Sequence, residues 1–210
     1  MRTFAVKEIF LTLQGEGMQV GKPAVFCRFT GCNLWSGREA DRQSAVCKFC
    51  DTDFVGTDGS NGGRFPNAEA LADRILAEWI GGPENRMCVL TGGEPLLQVD
   101  GDLLRCLHDR HFKIAIETNG TLPAPDGVDW ICVSPKSGSV LLTRGDELKL
   151  VFPQQQAPPE NFAALAFDNF LLQPLDGPDV AANTKAAIEY CLHHPQWRLS
   201  VQTHKHLGIR

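Results

Sequence analysis

Four apolar runs in this chain end alike, each passing into a polar or glycine-bearing turn. Val89-Leu90 runs into Thr91-Gly92-Gly93-Glu94, Ile114-Ala115-Ile116 into Glu117-Thr118-Asn119-Gly120, Ile131-Cys132-Val133 into Ser134-Pro135-Lys136, and Leu171-Leu172 into Gln173-Pro174-Leu175. Short apolar runs bounded by turn residues are the pattern of strands covered on both faces, as in a parallel sheet. In such sheets chemistry gathers at the carboxyl ends of the strands.

Six strands are expected, over residues 24–29, 87–90, 113–117, 130–134, 147–152 and 169–172. An extended segment over 6–13 precedes them and another over 197–201 follows. Helices are expected over 67–80, 101–110 and 179–193. The first opens at Pro66-Asn67, carries Leu71, Ile75, Leu76 and Trp79 on one face, and stops at Gly81-Gly82. The gaps 118–129 and 135–146 are too short for a crossover helix with its turns. The expected fold is therefore α/β: an abbreviated, partly open (β/α) TIM-like barrel with about six parallel strands and fewer helices. It occupies residues 1–210 as a single domain, with an N-terminal extension 1–22, a loop 31–52 and a C-terminal tail 202–210.

A formal charge of −5 argues against broad electrostatic binding to nucleic acid. No apolar run has the length of a membrane span, and Met1 to Lys7 lacks the apolar core of a signal peptide, so cytoplasmic residence is the expectation. Eight cysteines remain to be explained. Cys88, Cys106, Cys132 and Cys191 sit in apolar or helix-like surroundings and read as small buried hydrophobes. The other four, Cys27, Cys32, Cys47 and Cys50, crowd into one stretch. Together they form a possible four-cysteine zinc site. However, Cys27 lies within the alternating strand Val25-Phe26-Cys27-Arg28-Phe29, on the face of Val25 and Phe29. Cys32, Cys47 and Cys50 alone suit a four-iron cluster with one iron left open to a small molecule. The cysteines by themselves leave both readings standing.

Phe49, just before the last cysteine, favours the cluster, because a cofactor with an adenine ring needs an aromatic contact beside the metal. The turn Thr91-Gly92-Gly93-Glu94-Pro95 adds to this. Two glycines let backbone carbonyls approach a ligand closely, and a row of carbonyls suits a protonated amino group.

Taken together these residues resemble the radical S-adenosylmethionine enzymes. The family's usual Cys-x3-Cys-x2-Cys loop is expanded here to Cys-x14-Cys-x2-Cys by the insertion from Asn33 to Val46. With the opening Leu13-Gln14-Gly15-Glu16-Gly17, the expanded loop is similar to that of the 7-carboxy-7-deazaguanine synthases, the QueE family of queuosine and deazapurine biosynthesis. The resemblance implies ring contraction of 6-carboxy-5,6,7,8-tetrahydropterin to 7-carboxy-7-deazaguanine with loss of ammonia. A radical derived from S-adenosylmethionine removes hydrogen from C6, and the cofactor is regenerated. It also implies a homodimer, an electron donor such as flavodoxin, and Mg²⁺. An activase that makes a glycyl radical on a protein partner is the alternative within the superfamily, and a non-catalytic zinc module the alternative outside it.

By this resemblance Cys32, Cys47 and Cys50 hold the [4Fe–4S] cluster. S-adenosylmethionine lies against Phe49, Cys50 and Asp51, meets Gly92, Gly93 and Glu94 through its amino group, and reaches Ser134, Pro135 and Lys136. Gln173, Pro174, Leu175 and Asp176 close its site. Leu13, Gln14, Gly15 and Glu16 contact the pterin, with Thr91, Glu117 and His204. Thr52 is the Mg²⁺ ligand, in keeping with the cation's preference for oxygen. Arg28, opposite Cys27 in the pleat, is expected to await the substrate carboxylate unpaired, or else to form an ion pair with Glu16 or Glu117.

Overall fold

The computed structural model describes residues 2–210. β1 (Phe4–Leu13) and β2 (Pro23–Phe29) pair antiparallel, and β3 (Gly63–Phe65) adds antiparallel to the other side of β1. From β2 onward every pairing is parallel, through β4 (Met87–Gly92), β5 (Lys113–Thr118), β6 (Trp130–Val133), β7 (Arg144–Phe152), β8 (Ala166–Pro174) and β9 (Trp197–Leu199). The result is one nine-stranded sheet with β3 and β9 at its edges. The α/β class and the mostly parallel, partly open barrel agree with expectation. The strand count does not. The extended piece near Trp197 joins the sheet as a seventh parallel strand, and two antiparallel strands add to the other end.

The N-terminal segment is no appendage. Phe4, Val6 and Ile9 are fully buried in the main core, so β1 is as much a sheet strand as its neighbours. β3 escaped notice because Gly63-Arg64-Phe65 is too short to show a period.

Helix α1 (Ala68–Glu78) starts where Asn67 accepts a hydrogen bond from the Ala70 N–H at 2.8 Å. Asp100 caps α2 (Gly101–His108) in the same manner through the Leu103 N–H at 3.0 Å. Both helices cover the outer face of β1, β2, β4 and β5, around Phe29, Leu71, Ile75, Leu90, Leu103 and Ile114. α3 (Val180–His193) packs on β8 and β9, in a core shared by Leu148, Leu150, Phe170, Leu172 and Trp197. No helix follows β5 or β6, as the short gaps required. The tail contains α4 (Thr203–Leu207), which was not expected. Among the described residues no helix is long and apolar enough to cross a membrane.

Strand alternation then decides what faces inward. Cys27, Leu90, Ile116, Leu148 and Leu150 point out to the helices, so Arg28, Thr91, Glu117 and Lys149 point in. The open side is stitched by the chain after β9. Ser200 accepts from the Gly17 N–H at 2.9 Å, and the Thr203 N–H donates to the Gly15 carbonyl at 2.9 Å. These bonds tie the β9 edge to the turn between β1 and β2.

Candidate active site

The carboxyl ends of the parallel strands open into a cavity of about 540 Å³. Cys32, Cys47 and Cys50 line it together, on a loop that leaves β2. All three thiols are free. Burial pushes Cys32 and Cys47 up, while the N–H groups of Leu34 and Trp35 at Cys32, and Lys136 with the Phe49 N–H at Cys47, act the other way. The Leu34 N–H reaches the Cys32 sulfur at 3.4 Å. Three soft donors in one cavity, with N–H groups and a lysine beside them, fit an anionic iron–sulfur cluster. Cys27 has no part in this. It is fully buried in the outer core with Cys88, and burial raises its thiol well above the ordinary value. The four-cysteine zinc site fails on that placement, because its fourth donor lies across the sheet.

The insertion folds back on the cysteine loop. It makes a short 3-10 segment over Glu39–Ser44. From it Arg42 lies over the Trp35 ring, 4.0 Å from the centroid, and donates to the carbonyls of Lys48 and Cys50 at 3.0 and 3.1 Å. Trp35 meets Phe54 edge-on at 5.6 Å. Arg42 thus braces the backbone on both sides of Phe49, a role no motif announced.

Gly92 and Gly93 line the cavity beside the cysteines. Gly92 has φ +128°, and a Cβ there would meet the Phe29 backbone, while one on Gly93 would overlap the Gly31 carbonyl. The crossing of two backbones therefore demands both glycines. Glu94 and Pro135 do not line the cavity. Glu94 is completely buried and accepts from the Thr118 hydroxyl at 2.7 Å and from the N–H groups of Asn119 and Leu96 at 2.8 and 3.0 Å. It orders the strand ends from beneath. Burial raises its carboxyl despite these donors.

The rest of the expected cofactor set lines the cavity: Phe49, Asp51, Ser134, Lys136 and the stretch Gln173 to Asp176. Lys136 donates to Ser134 at 2.8 Å, and its ammonium lies 5.5 Å from the Phe49 ring centroid. Lys205 bridges Asp51 at 2.9 Å and Asp176 at 2.5 Å, linking the cysteine loop to the end of β8. Asp176 is lowered by that lysine. Thr52 is on the lining too.

The same cavity is lined by Leu13, Gln14, Gly15, Glu16, Thr91, Glu117 and His204. Gln14 donates to Glu117 at 3.0 Å and Thr91 to Glu117 at 3.3 Å. His204 packs against Gly15 so closely that a Cβ there would overlap its ring. Arg28 also lines the cavity, but it is not unpaired, and neither proposed partner holds it. Its Nε donates to Glu8 at 2.9 Å, directly across the β1–β2 pairing, and Arg210 joins the same carboxylate. The partner comes from the neighbouring strand and not from the strand ends, because the antiparallel register sets Glu8 opposite Arg28.

Two further inward residues, with no motif to mark them, are Lys149 and Glu147, alternating with leucines on β7. Lys149 bonds Glu16 at 2.6 Å, and Gln202 donates to Glu16 at 2.9 Å. Burial alone would raise Glu16, but the Lys149 ammonium and these bonds outweigh it and bring the carboxyl down to about 2 from its ordinary 4.5. A lowered carboxyl stabilises the fold above the unfolded value and loses that contribution as pH falls through the folded one. Between pH 4.5 and 2, Glu16 is therefore expected to withdraw its contribution to stability. Urea denaturation of the parent and of Glu16→Gln across this window checks it: the parent's stability should fall more steeply, and parallel curves would refute the assignment.

No family model matches the chain. It is 69% identical over 209 residues to the 7-carboxy-7-deazaguanine synthase of Bradyrhizobium diazoefficiens, covering 99% of this chain and 100% of that one. It is 68% identical to the enzyme of the same name from Caulobacter vibrioides, with 99% of each chain covered. Among solved structures it resembles the crystal structure of QueE from Escherichia coli, with TM-score 0.70, 30% identity, and coverage of 96% of this chain and 95% of that one.

Proposed function

The chain belongs to the family of 7-carboxy-7-deazaguanine synthases, and from that premise we propose that its cavity contracts 6-carboxy-5,6,7,8-tetrahydropterin to 7-carboxy-7-deazaguanine with release of ammonia. The observation that carries this reading is that three free cysteines and a set of hydrogen-bonding side chains line one and the same cavity.

Cys32, Cys47 and Cys50 would hold a [4Fe–4S] cluster, and Gly92-Gly93, Ser134, Lys136 and the Gln173–Asp176 stretch would hold S-adenosylmethionine. The cluster and S-adenosylmethionine supply, when bound, one-electron reductive cleavage to a carbon radical able to take hydrogen from C6 of the pterin. The protein's own part is orientation and exclusion of water. Gly92 and Gly93 would offer backbone carbonyls to a ligand's amino group where they line the cavity, and Glu94 fixes the turn that presents them. Lys136 sets a positive charge beside Phe49, where a carboxylate would sit. Glu117 accepts from the pterin edge while Gln14 and Thr91 hold it in place. Arg28, tethered by Glu8, keeps a cation on the pterin side for the substrate carboxylate.

Thr52 is the Mg²⁺ ligand in this reading, a homodimer the assembly, and a small redox protein such as flavodoxin the electron donor. The relatives named above are synthases, which disfavours the activase alternative. The test is anaerobic reconstitution with iron and sulfide, then reduction with S-adenosylmethionine and the carboxypterin, with and without Mg²⁺. Deazaguanine product with stoichiometric ammonia is expected, and S-adenosylmethionine should remain unconsumed. Reductive cleavage with no change in the pterin would sink the reading.

A further inference from the structure

β7 places Glu147 and Lys149 on the inner face of the sheet, two residues apart and alternating with Leu148 and Leu150 of the outer core. Lys149 is only 5% exposed. Its ammonium meets Glu16 at 2.6 Å and Glu117 at 3.8 Å. Glu147, equally sequestered at 3% exposed, accepts from the Met18 N–H at 2.8 Å and the Cys132 thiol at 3.1 Å. A Cβ on Gly17 would collide with the Glu147 carboxylate, so that acid is seated beneath the turn that carries Gln14 and Glu16.

Three carboxylates thus face a single ammonium inside the barrel. A buried ion pair stabilises little on balance, and surplus buried negative charge is costly unless donors complete it. Packing does not require this cluster, since leucines would fill β7 at less expense. The donors that complete it belong on the open side, where Glu16 and Glu117 line the cavity. The pyrimidine edge of a pterin presents such donors side by side, a ring N–H and an amino group. We propose that Lys149 is a positioning residue. Gripping Glu16 and Glu117 together, it orients both carboxylates so that their remaining lone pairs meet the N–H groups of the pterin. Gln14 and Thr91 hold Glu117 in the same orientation, and Gln202 does so for Glu16. The inference rests on the pterin reading above.

Lys149 is faced by Glu16 from the turn after β1, Glu117 from β5, Cys132 from β6 and Glu147 from its own strand; His204 of α4 acts in addition on Glu16. Removing the ammonium takes from Glu16 the cation that holds its carboxyl down, so the acidic limb of kcat/KM moves to higher pH.

The test uses the reconstituted enzyme and reads pterin affinity by calorimetry without reductant, S-adenosylmethionine affinity, and the pH profile of turnover. Lys149→Met should weaken pterin binding about ten- to a hundredfold. It should raise the acidic limb by about one pH unit or more, and leave S-adenosylmethionine binding unchanged. Lys149→Arg keeps the cation and should return the limb to the parent's position. If Lys149→Met does not fold, Lys149→Gln removes the cation but keeps a hydrogen-bond donor to the carboxylates, and should show the same loss of pterin affinity. A folded variant lacking the lysine that binds pterin like the parent overturns the proposal. A parent enzyme that neither binds nor converts the pterin overturns the pterin reading itself.

Discussion

Serine in place of Cys32, Cys47 or Cys50 is expected to reduce turnover to background. Each substitution removes a thiolate from a set that has no spare. Among the described residues the other cysteines lie off the cavity, except Cys132, which is buried on β6 and bonded to Glu147. A serine hydroxyl is a hard, poorly ionised donor and does not replace a thiolate on iron. Iron and sulfide content and visible absorption after anaerobic reconstitution should drop with activity, while thermal unfolding of the unreconstituted protein stays near the parent's. Cys27→Ala is the control, expected to lose stability by about 1–2 kcal/mol from a small core void but to assemble the cluster normally. A Cys47→Ser protein with parental iron, colour and turnover would end the cluster reading, and loss of the cluster on removing Cys27 would restore the zinc alternative.

Glu94→Leu is expected to be the most destabilising single change in the site. The carboxylate accepts three hydrogen bonds with no exposure, and leucine leaves all three donors without a partner. At about 1–3 kcal/mol for each orphaned buried group, less what water and relaxation recover, the loss is about 3–5 kcal/mol. In a chain of 210 residues that is a fall in Tm of about 10 °C. Glu94→Gln keeps an acceptor oxygen and relieves the buried charge, so it should lose about 1–2 kcal/mol. The order Leu, then Gln, then parent in denaturation midpoints is the measurement. Equal midpoints for Leu and Gln would show that the three bonds contribute nothing net.

How much of this was visible beforehand depended on the range of each interaction. The capped start of α1, the absence of helices after β5 and β6, and the polar strand ends all express local preferences that a stretch of chain carries wherever it lies. Cys27 could be set apart from the other cysteines because a two-residue period holds within any strand. The same period showed that Arg28 points inward, but not that Glu8 sits across from it, since register joins segments whose spacing no local rule specifies. The burial of Lys149 and Glu147 is illegible locally for a related reason. Alternation alone does not tell which face of a strand will be sealed, and only when β6 and β8 flank β7 do those charges become buried. Glu94 was placed against the cofactor because its neighbours in sequence are. In space it turns under the glycines and holds Asn119.

The order of residues alone determined the kinds of chemistry available: three clustered cysteines, a glycine pair after a buried strand, and carboxylates and amides at successive strand ends. Each is a property of a few adjacent residues and survives without knowledge of the rest. Only the folded chain decided which of these meet. The curl of the sheet brings the tail across to Gly15, sets Lys149 between Glu16 and Glu117, and leaves Cys27 on the far side. Those outcomes depend on strand register and sheet curvature, which are settled by the packing of the whole core and not by any one segment of it.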